Sequence, residues 1–251
     1  MKIILLGTGV AIPQKDRGQS GLIVDAGSDK KYSPLLFDCG CGVLQRIYQS
    51  GYRHTNITNV FLSHLHLDHC GDVLALVKAN WLCDTTKLDL WGPVGTRQWL
   101  DDLLAAYPYM QDKVEIGVTE LVPGQVIWVE GLEVECLRTV HALPSLGFTL
   151  TSGGKTMVYS GDTEPVDDIV KASEGIDLLI HECSFPDTFE VTNHATPGTL
   201  AEKLKATSIG RIVLTHLYPQ TRGFEAGMVK VLAEACRCPV EIGYDLQIIE
   251  V

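Results

Sequence analysis

No run of roughly eighteen apolar residues occurs in the 251-residue chain, which is what a bilayer-spanning helix needs. Basic residues are scarce: 20 Lys and Arg against 31 Asp and Glu give a formal net charge of -11. That balance excludes a surface generally adapted to coat nucleic acid, since phosphate contacts require cations, but it leaves room for a local basic groove. A Cys-x-x-Cys pair is also lacking. Of the eight cysteines, Cys39-Gly40-Cys41 and Cys236-Arg237-Cys238 come nearest, and neither has the two-residue gap usual for structural zinc. Several cysteines sit in apolar runs and no secretion signal is evident, so reduced thiols in a cytoplasm are expected. The start, Lys2-Ile3-Ile4-Leu5-Leu6-Gly7, reads as a first strand and not as a signal peptide. No linker, low-complexity segment or sequence repeat divides the chain. With 45% hydrophobic and 20% charged residues, the composition fits one core-forming domain.

What is present is a cluster. Three of the eight histidines, His64, His66 and His69, fall within six residues, with Asp68 between the second and third. The apolar run Asn59-Val60-Phe61-Leu62 precedes it as a buried strand, and a helical stretch from Val73 to Leu82 follows. The cluster therefore lies where a strand gives way to a helix, a usual place for sites in α/β folds. His64 and His66, two apart in an extended segment, point the same way. Asp68 and His69 follow at the turn and aim at a second point, a pattern suited to two metal ions side by side.

The first half reads as strands at 2–6, 21–25, 35–37 and 59–62, with helices at 43–49, 73–82 and 95–107. After the turn Pro123-Gly124, strands are expected at 126–129, 132–137, 146–151 and 156–159, with Gly131 and Gly153-Gly154 as hairpin turns. Strands at 177–180 and 211–214 then alternate with helices at 165–173, 197–206 and 225–235, before closing strands at 239–243 and 246–250. Two structural halves, roughly 1–122 and 123–251, packed sheet to sheet predict four layers, αββα, in a single domain. Further polar residues punctuate strand ends: His141, Asp162 in Ser160-Gly161-Asp162-Thr163, His181-Glu182 and His216, with His194 in a loop before a helix. They are expected to converge on one edge of the sheets.

The motif His64-x-His66-x-Asp68-His69, together with His141, Gly161-Asp162-Thr163 and His216, resembles the metallo-β-lactamase superfamily over nearly the whole chain. The resemblance implies an αββα sandwich and two metal ions between its sheets. It places His64, His66 and His141 on one ion, Asp68, His69 and His216 on the other, and Asp162 between them. Imidazole and carboxylate ligands suit two Zn2+, with Mn2+ or Fe as substitutes. Within the superfamily the chain is similar to ribonuclease Z, which trims precursor tRNA 3′ ends. The supporting motifs are Pro13-Gln14-Lys15-Asp16-Arg17-Gly18, Phe37-Asp38-Cys39-Gly40, His141-x-x-x-Ser145-x-Gly147-Phe148, His181-Glu182-Cys183-Ser184-Phe185 and Asn193-His194-Ala195-Thr196. Glycine stands at position 18 where asparagine is usual, and alanine at 195 in place of serine. Only twenty residues separate His141 from Asp162, where typical tRNA-processing members insert a tRNA-gripping arm.

The resemblance implies a phosphodiesterase acting on RNA, in which Asp68 orients or deprotonates the nucleophile and His194, held by Glu182, protonates the leaving group. Lys15 and Arg17 are then expected on substrate phosphate. Members of the group are often homodimers. The missing arm favours an alternative, a phosphodiesterase for cyclic nucleotides or other small diesters. Thioester or lactone hydrolysis, and a non-catalytic metal-holding scaffold, are the remaining readings.

Overall fold

Alternate residues along each central strand enter different cores, and this period of two builds the layers. The computed structural model describes residues 1–27 and 32–251. In β1 (Lys2–Gly7) Ile3 and Leu5 face one core while Ile4 and Leu6 face another. The same split holds for Leu22 and Val24 against Ile23 in β2 (Gly21–Asp25), and for Leu35 and Phe37 against Leu36 in β3 (Leu35–Phe37). A strand buried on both faces has no polar side, so it reads in the sequence as a continuous apolar run.

The first sheet continues through β4 (Asn59–Phe61), β5 (Lys87–Pro93) and β6 (Glu115–Leu121). The second contains β7 (Val126–Val129), β8 (Leu132–Arg138), β9 (Leu146–Ser152), β10 (Lys155–Tyr159), β11 (Leu178–Glu182), β12 (Ile212–Thr215) and β13 (Val240–Ile242). The last strand, β14 (Gln247–Glu250), pairs antiparallel with β1, giving orders β14-β1-β2-β3-β4-β5-β6 and β13-β12-β11-β10-β9-β8-β7. Both sheets are mixed. The chain's closing strand thus belongs to the sheet of the first half, so the two sheets do not divide cleanly at residue 122. Strands β5 and β6, absent from the strands read in the sequence, complete the first sheet by parallel pairing.

Between the sheets, Phe37 and Phe61 stack with centroids 4.9 Å apart, and Phe148 meets Phe37 edge-on at 5.2 Å. Outside the first sheet, α1 (Val43–Gln49), α2 (Leu67–Cys70), α3 (Val73–Trp81) and α4 (Thr96–Ala106) contribute Val43, Ile47, Cys70, Leu76 and Leu100 to an outer core. Outside the second, α5 (Asp167–Ala172), α6 (Pro197–Leu204) and α7 (Glu225–Cys236) contribute Ile169, Leu200, Leu204, Met228 and Leu232. Three cores separate four layers, αββα, as expected. No helix among the described residues is long and apolar enough to cross a membrane. All eight cysteines are unbonded.

Candidate metal centre

The parallel strands β3, β4, β10, β11 and β12 all end at one edge, and the loops that leave them carry the polar residues. Two glycines let these loops approach closely. A Cβ on Gly40 would lie 2.0 Å from the Asp68 carbonyl oxygen, and one on Gly161 would lie 2.9 Å from Ser63 Cβ. Both positions therefore require a residue without a side chain.

Seven predicted ligands converge there. Among the described residues His64, His66, His141 and Asp162 form one group, and Asp68, His69 and His216 a second, with ligand atoms within 4.8 Å of one another in each. His64 Nε2 lies 3.0 Å from His66 Nδ1, and His66 Nδ1 3.2 Å from His141 Nε2. In the second group His69 Nε2 and His216 Nε2 are 3.2 Å apart, and Asp68 Oδ2 is 3.5 Å from His216 Nε2. Asp162 Oδ2 stands between the groups, 3.3 Å from His216, 3.4 Å from His69, 3.7 Å from His64 and 3.9 Å from His141.

The outward nitrogens of four of the histidines are engaged. His69 Nδ1–H donates to Asp38 Oδ2 (2.8 Å), His141 Nδ1–H to the Asn193 carbonyl (2.9 Å), His64 Nδ1–H to Ser63 Oγ (3.0 Å) and His216 Nδ1–H to Ser184 Oγ (3.1 Å). Each bond fixes a tautomer whose other nitrogen presents a lone pair to the cluster. Imidazole nitrogens meeting lone pair to lone pair beside buried carboxylates form a donor set that fits a cation. Asp162 Oδ1, buried without a hydrogen-bond partner, fits the same reading.

The electrostatics agree. Burial pulls His69 down, yet Asp162 and Asp38 outweigh it and hold the imidazole well above its usual range. Burial, and then its neighbour His69, push His64 well below. Burial alone would raise Asp162, but His216 and His69 take its carboxyl well below the usual range. Positive charge is thus favoured on the His69 side of Asp162 and disfavoured on His64.

Asp38, placed by the sequence only within a supporting motif and given no role there, supports the centre. Fully buried, with φ of 56°, it accepts from Ser63 N (2.7 Å), Ser63 Oγ (2.9 Å), His69 Nδ1 (2.8 Å) and Tyr159 Oη (2.6 Å). Its signal was an aspartate ending a strand before Cys39-Gly40, which reads equally well as a turn former. His216 also holds a left-handed backbone, φ 55°, a strain that clusters at functional sites.

His194 and Glu182 meet as expected. Glu182 Oε1 accepts from His194 Nδ1 (2.9 Å) and Thr163 N (3.0 Å), while Oε2 accepts from Ser184 N, Ser184 Oγ and Ala195 N. Burial pulls His194 down, but the Glu182 carboxylate more than offsets it, leaving the imidazole raised. The His194 ring lies 5.2 Å from that of His141 and 5.6 Å from that of His216, so it could also join Asp162 and His216 on an ion. A capping box between Thr196 and Thr199, with Pro197 in the first turn, anchors α6 immediately after it. His181 does not join the site. It is fully buried within β11, with Nδ1 bonded to its neighbour's carbonyl.

The loop carrying Lys15 and Arg17 reaches the centre through Ala11, whose N–H donates to Asp68 Oδ2 (2.9 Å). Lys15 is exposed. Arg17, expected on substrate phosphate, instead turns inward: its Nη1 donates to Thr8 Oγ1 (2.6 Å) and the Gly243 carbonyl (2.7 Å). The buried edge of β1 and β13 supplies acceptors that a surface loop would lack, and they hold the guanidinium.

Residues 34–217 match the family model described as "Beta-lactamase superfamily domain". The chain belongs to the beta-lactamase superfamily. Its branch is the ribonuclease Z-like one: a Ribonuclease Z of Mycobacterium tuberculosis is 30% identical over 278 aligned positions, covering 100% of this chain and 98% of the relative. Against 251 residues, that alignment leaves 27 or more positions facing gaps in this superfamily member. Two solved structures overlay it across 100% of its length and 99% of their own. The metallo-beta-lactamase fold protein YhfI from Bacillus subtilis gives a TM-score of 0.83 at 25% identity. The short form of human tRNase Z gives 0.81 at 26%.

Proposed function

We propose that this protein is a dinuclear metal-dependent phosphodiesterase of the ribonuclease Z kind, cutting RNA at the 3′ ends of tRNA precursors. The observation that carries the reading is the convergence of seven ligand-type side chains, with the His194–Glu182 pair beside them. Full-length similarity to a ribonuclease Z supports RNA as substrate.

His64, His66 and His141 would hold one ion and Asp68, His69 and His216 the second, with Asp162 Oδ2 in reach of both groups. Zinc suits these ligands, and manganese or iron accept them too. Bound divalent metal supplies Lewis-acid charge that makes water a usable nucleophile near neutral pH and neutralises phosphate oxygens. Asp68, steadied by the Ala11 N–H, can orient the attacking water and accept its proton. His194 carries a proton on the ring edge not bonded to Glu182 and delivers it to the leaving oxygen. Glu182 keeps that imidazole oriented and charged. Lys15 is an exposed cation of the loop that meets substrate phosphate, while Arg17 holds the loop in place. The eight free thiols support a reducing, cytoplasmic setting, and a homodimer, usual in the family, is checked by light scattering.

A small-diester substrate is the second reading, and one observation favours it. Between His141 and Asp162 the chain forms only the β9–β10 hairpin, closed by Gly153-Gly154. No arm grows from this point. Zinc- or manganese-loaded protein offered precursor tRNA with a 3′ trailer, an aryl diester and a cyclic nucleotide, with Asp68→Ala as control, separates the two. Cleavage at the tRNA 3′ end supports the first reading; turnover of small diesters alone transfers the protein to the second; activity on none removes both.

A further inference from the structure

Beside His194 the metal centre has a wall of aromatic rings that neither the ligands nor the proton donor require. Phe185 leaves β11 and Tyr218 leaves β12, and the parallel pairing of those strands brings the two loops side by side. Their rings stack with centroids 4.3 Å apart and planes 29° from parallel. Phe189 extends the group, 5.7 Å from Phe185. The Tyr218 ring lies 5.8 Å from that of His194 and 5.9 Å from that of His216, and Phe185 lies 6.3 Å from His194. Backbone bonds hold the wall in place, from Tyr218 N to the Ser184 carbonyl (3.2 Å) and from Phe189 N to the Pro186 carbonyl (3.1 Å).

These rings are not core residues. Phe185 and Tyr218 are half-buried and Phe189 is 42% exposed, and none of the three belongs to a hydrophobic core of the fold. Aromatic surface left in water one ring away from a phosphate-handling centre is unfavourable unless something covers it. The His141 flank differs in kind. A cavity of about 410 Å³ that His141 also lines is walled by Val94, Val122, Val140 and Leu143, with no Phe, Tyr or Trp among its lining residues. Among the described residues, the stacked Phe and Tyr rings of the centre lie on the His194 side.

We propose that Phe185 and Tyr218 form a stacking platform for the planar base of the nucleotide next to the scissile phosphate, making the site selective for base-bearing phosphates. The inference rests on the phosphodiesterase reading and supplies its specificity. Stacking suits this role because every base has a π-face, so the wall selects nucleotides as a class without reading their sequence. It also lets a strongly acidic protein hold a nucleotide without a field of lysines.

The test is calorimetric titration of the zinc-loaded full chain with adenosine 5′-monophosphate and with ribose 5-phosphate, which lacks the base. Wild-type protein is expected to bind the nucleotide roughly tenfold to a hundredfold more tightly. Phe185→Leu and Tyr218→Leu, which keep apolar volume but lose the ring, bring the ratio close to one and leave ribose 5-phosphate binding unchanged. Tyr218→Phe preserves the ratio. Phe189→Ala, at an exposed position, lowers it in part and serves if a half-buried substitution unfolds the chain, which thermal melting reveals. Equal wild-type affinities, no binding of either probe, or a ratio that survives both leucine variants overturns the platform. Hydrolysis of an aryl diester by protein that shows no affinity ratio removes the platform alone. A ratio without any hydrolysis removes the phosphodiesterase reading and leaves a nucleotide-binding site.

Discussion

His194 Nδ1 donates a 2.9 Å hydrogen bond to Glu182 Oε1, and that carboxylate is wholly shielded from solvent while held by four other donors. A buried carboxylate so fully engaged cannot rotate away, so the imidazole it orients is fixed relative to both metal groups. Replacing His194 by alanine is therefore expected to leave metal content intact and reduce turnover by roughly 10²–10⁴-fold, the usual contribution of a positioned proton donor. Metal analysis of the purified variant decides the role. Loss of one equivalent would make His194 a ligand, in keeping with its approach to Asp162 and His216.

Glu182→Gln tests the electrostatic half of the pair. Because the carboxylate raises the His194 pKa against the opposing effect of burial, its removal lowers that pKa. A proton donor is active below its pKa, so activity falls as pH rises through it. The alkaline limb of the rate profile should move to lower pH in Glu182→Gln. An unmoved limb would assign it to another group.

Asp38→Ala leaves Ser63, His69 and Tyr159 without their common acceptor. Unpaired buried polar groups cost about 1–3 kcal/mol, and loss of a residue that orients a ligand weakens metal affinity roughly 10–100-fold. Thermal melting and metal titration read the two effects separately. Asp38→Asn, which tolerates the left-handed backbone, should recover part of the stability and little of the metal affinity.

Chelation should lower the melting temperature. The centre gathers Asp38, Asp68 and Asp162 around imidazoles, and a ligand bound only by the folded state stabilises by about 4 kcal/mol at a thousandfold excess over Kd. Equal melting with and without chelator would argue against a tightly held ion.

Lys15→Ala and Arg17→Ala should diverge. Lys15 is exposed on the loop, so its loss raises KM for RNA, with a smaller effect at high salt, and leaves melting unchanged. Arg17 ties the loop to Thr8 and Gly243, so its loss lowers stability and disturbs Asp68 through Ala11. A purely KM effect in Arg17→Ala would return the guanidinium to the substrate.

Sequence by itself determined the four-layer architecture and the His64–His69 cluster, because both rest on local spacing, while His141, Asp162 and His216 entered the ligand set through the family resemblance. Period-two and period-3.6 patterns survive in any context that buries one face, and His64, His66, Asp68 and His69 are placed together by covalent proximity alone. Two strands escaped for the same reason. In β5 the polar residues Lys87 and Asp89 interrupt the apolar run, and β6 is an edge strand with most of its side chains in water. What only the tertiary structure decided is the company kept by residues far apart in the chain. Asp38 became an acceptor for His69 and Tyr159, Arg17 was captured by acceptors at Thr8 and Gly243, and Phe185 met Tyr218 across two parallel strands. Such pairings depend on strand order and on which loops share an edge, and no local pattern in the sequence encodes either.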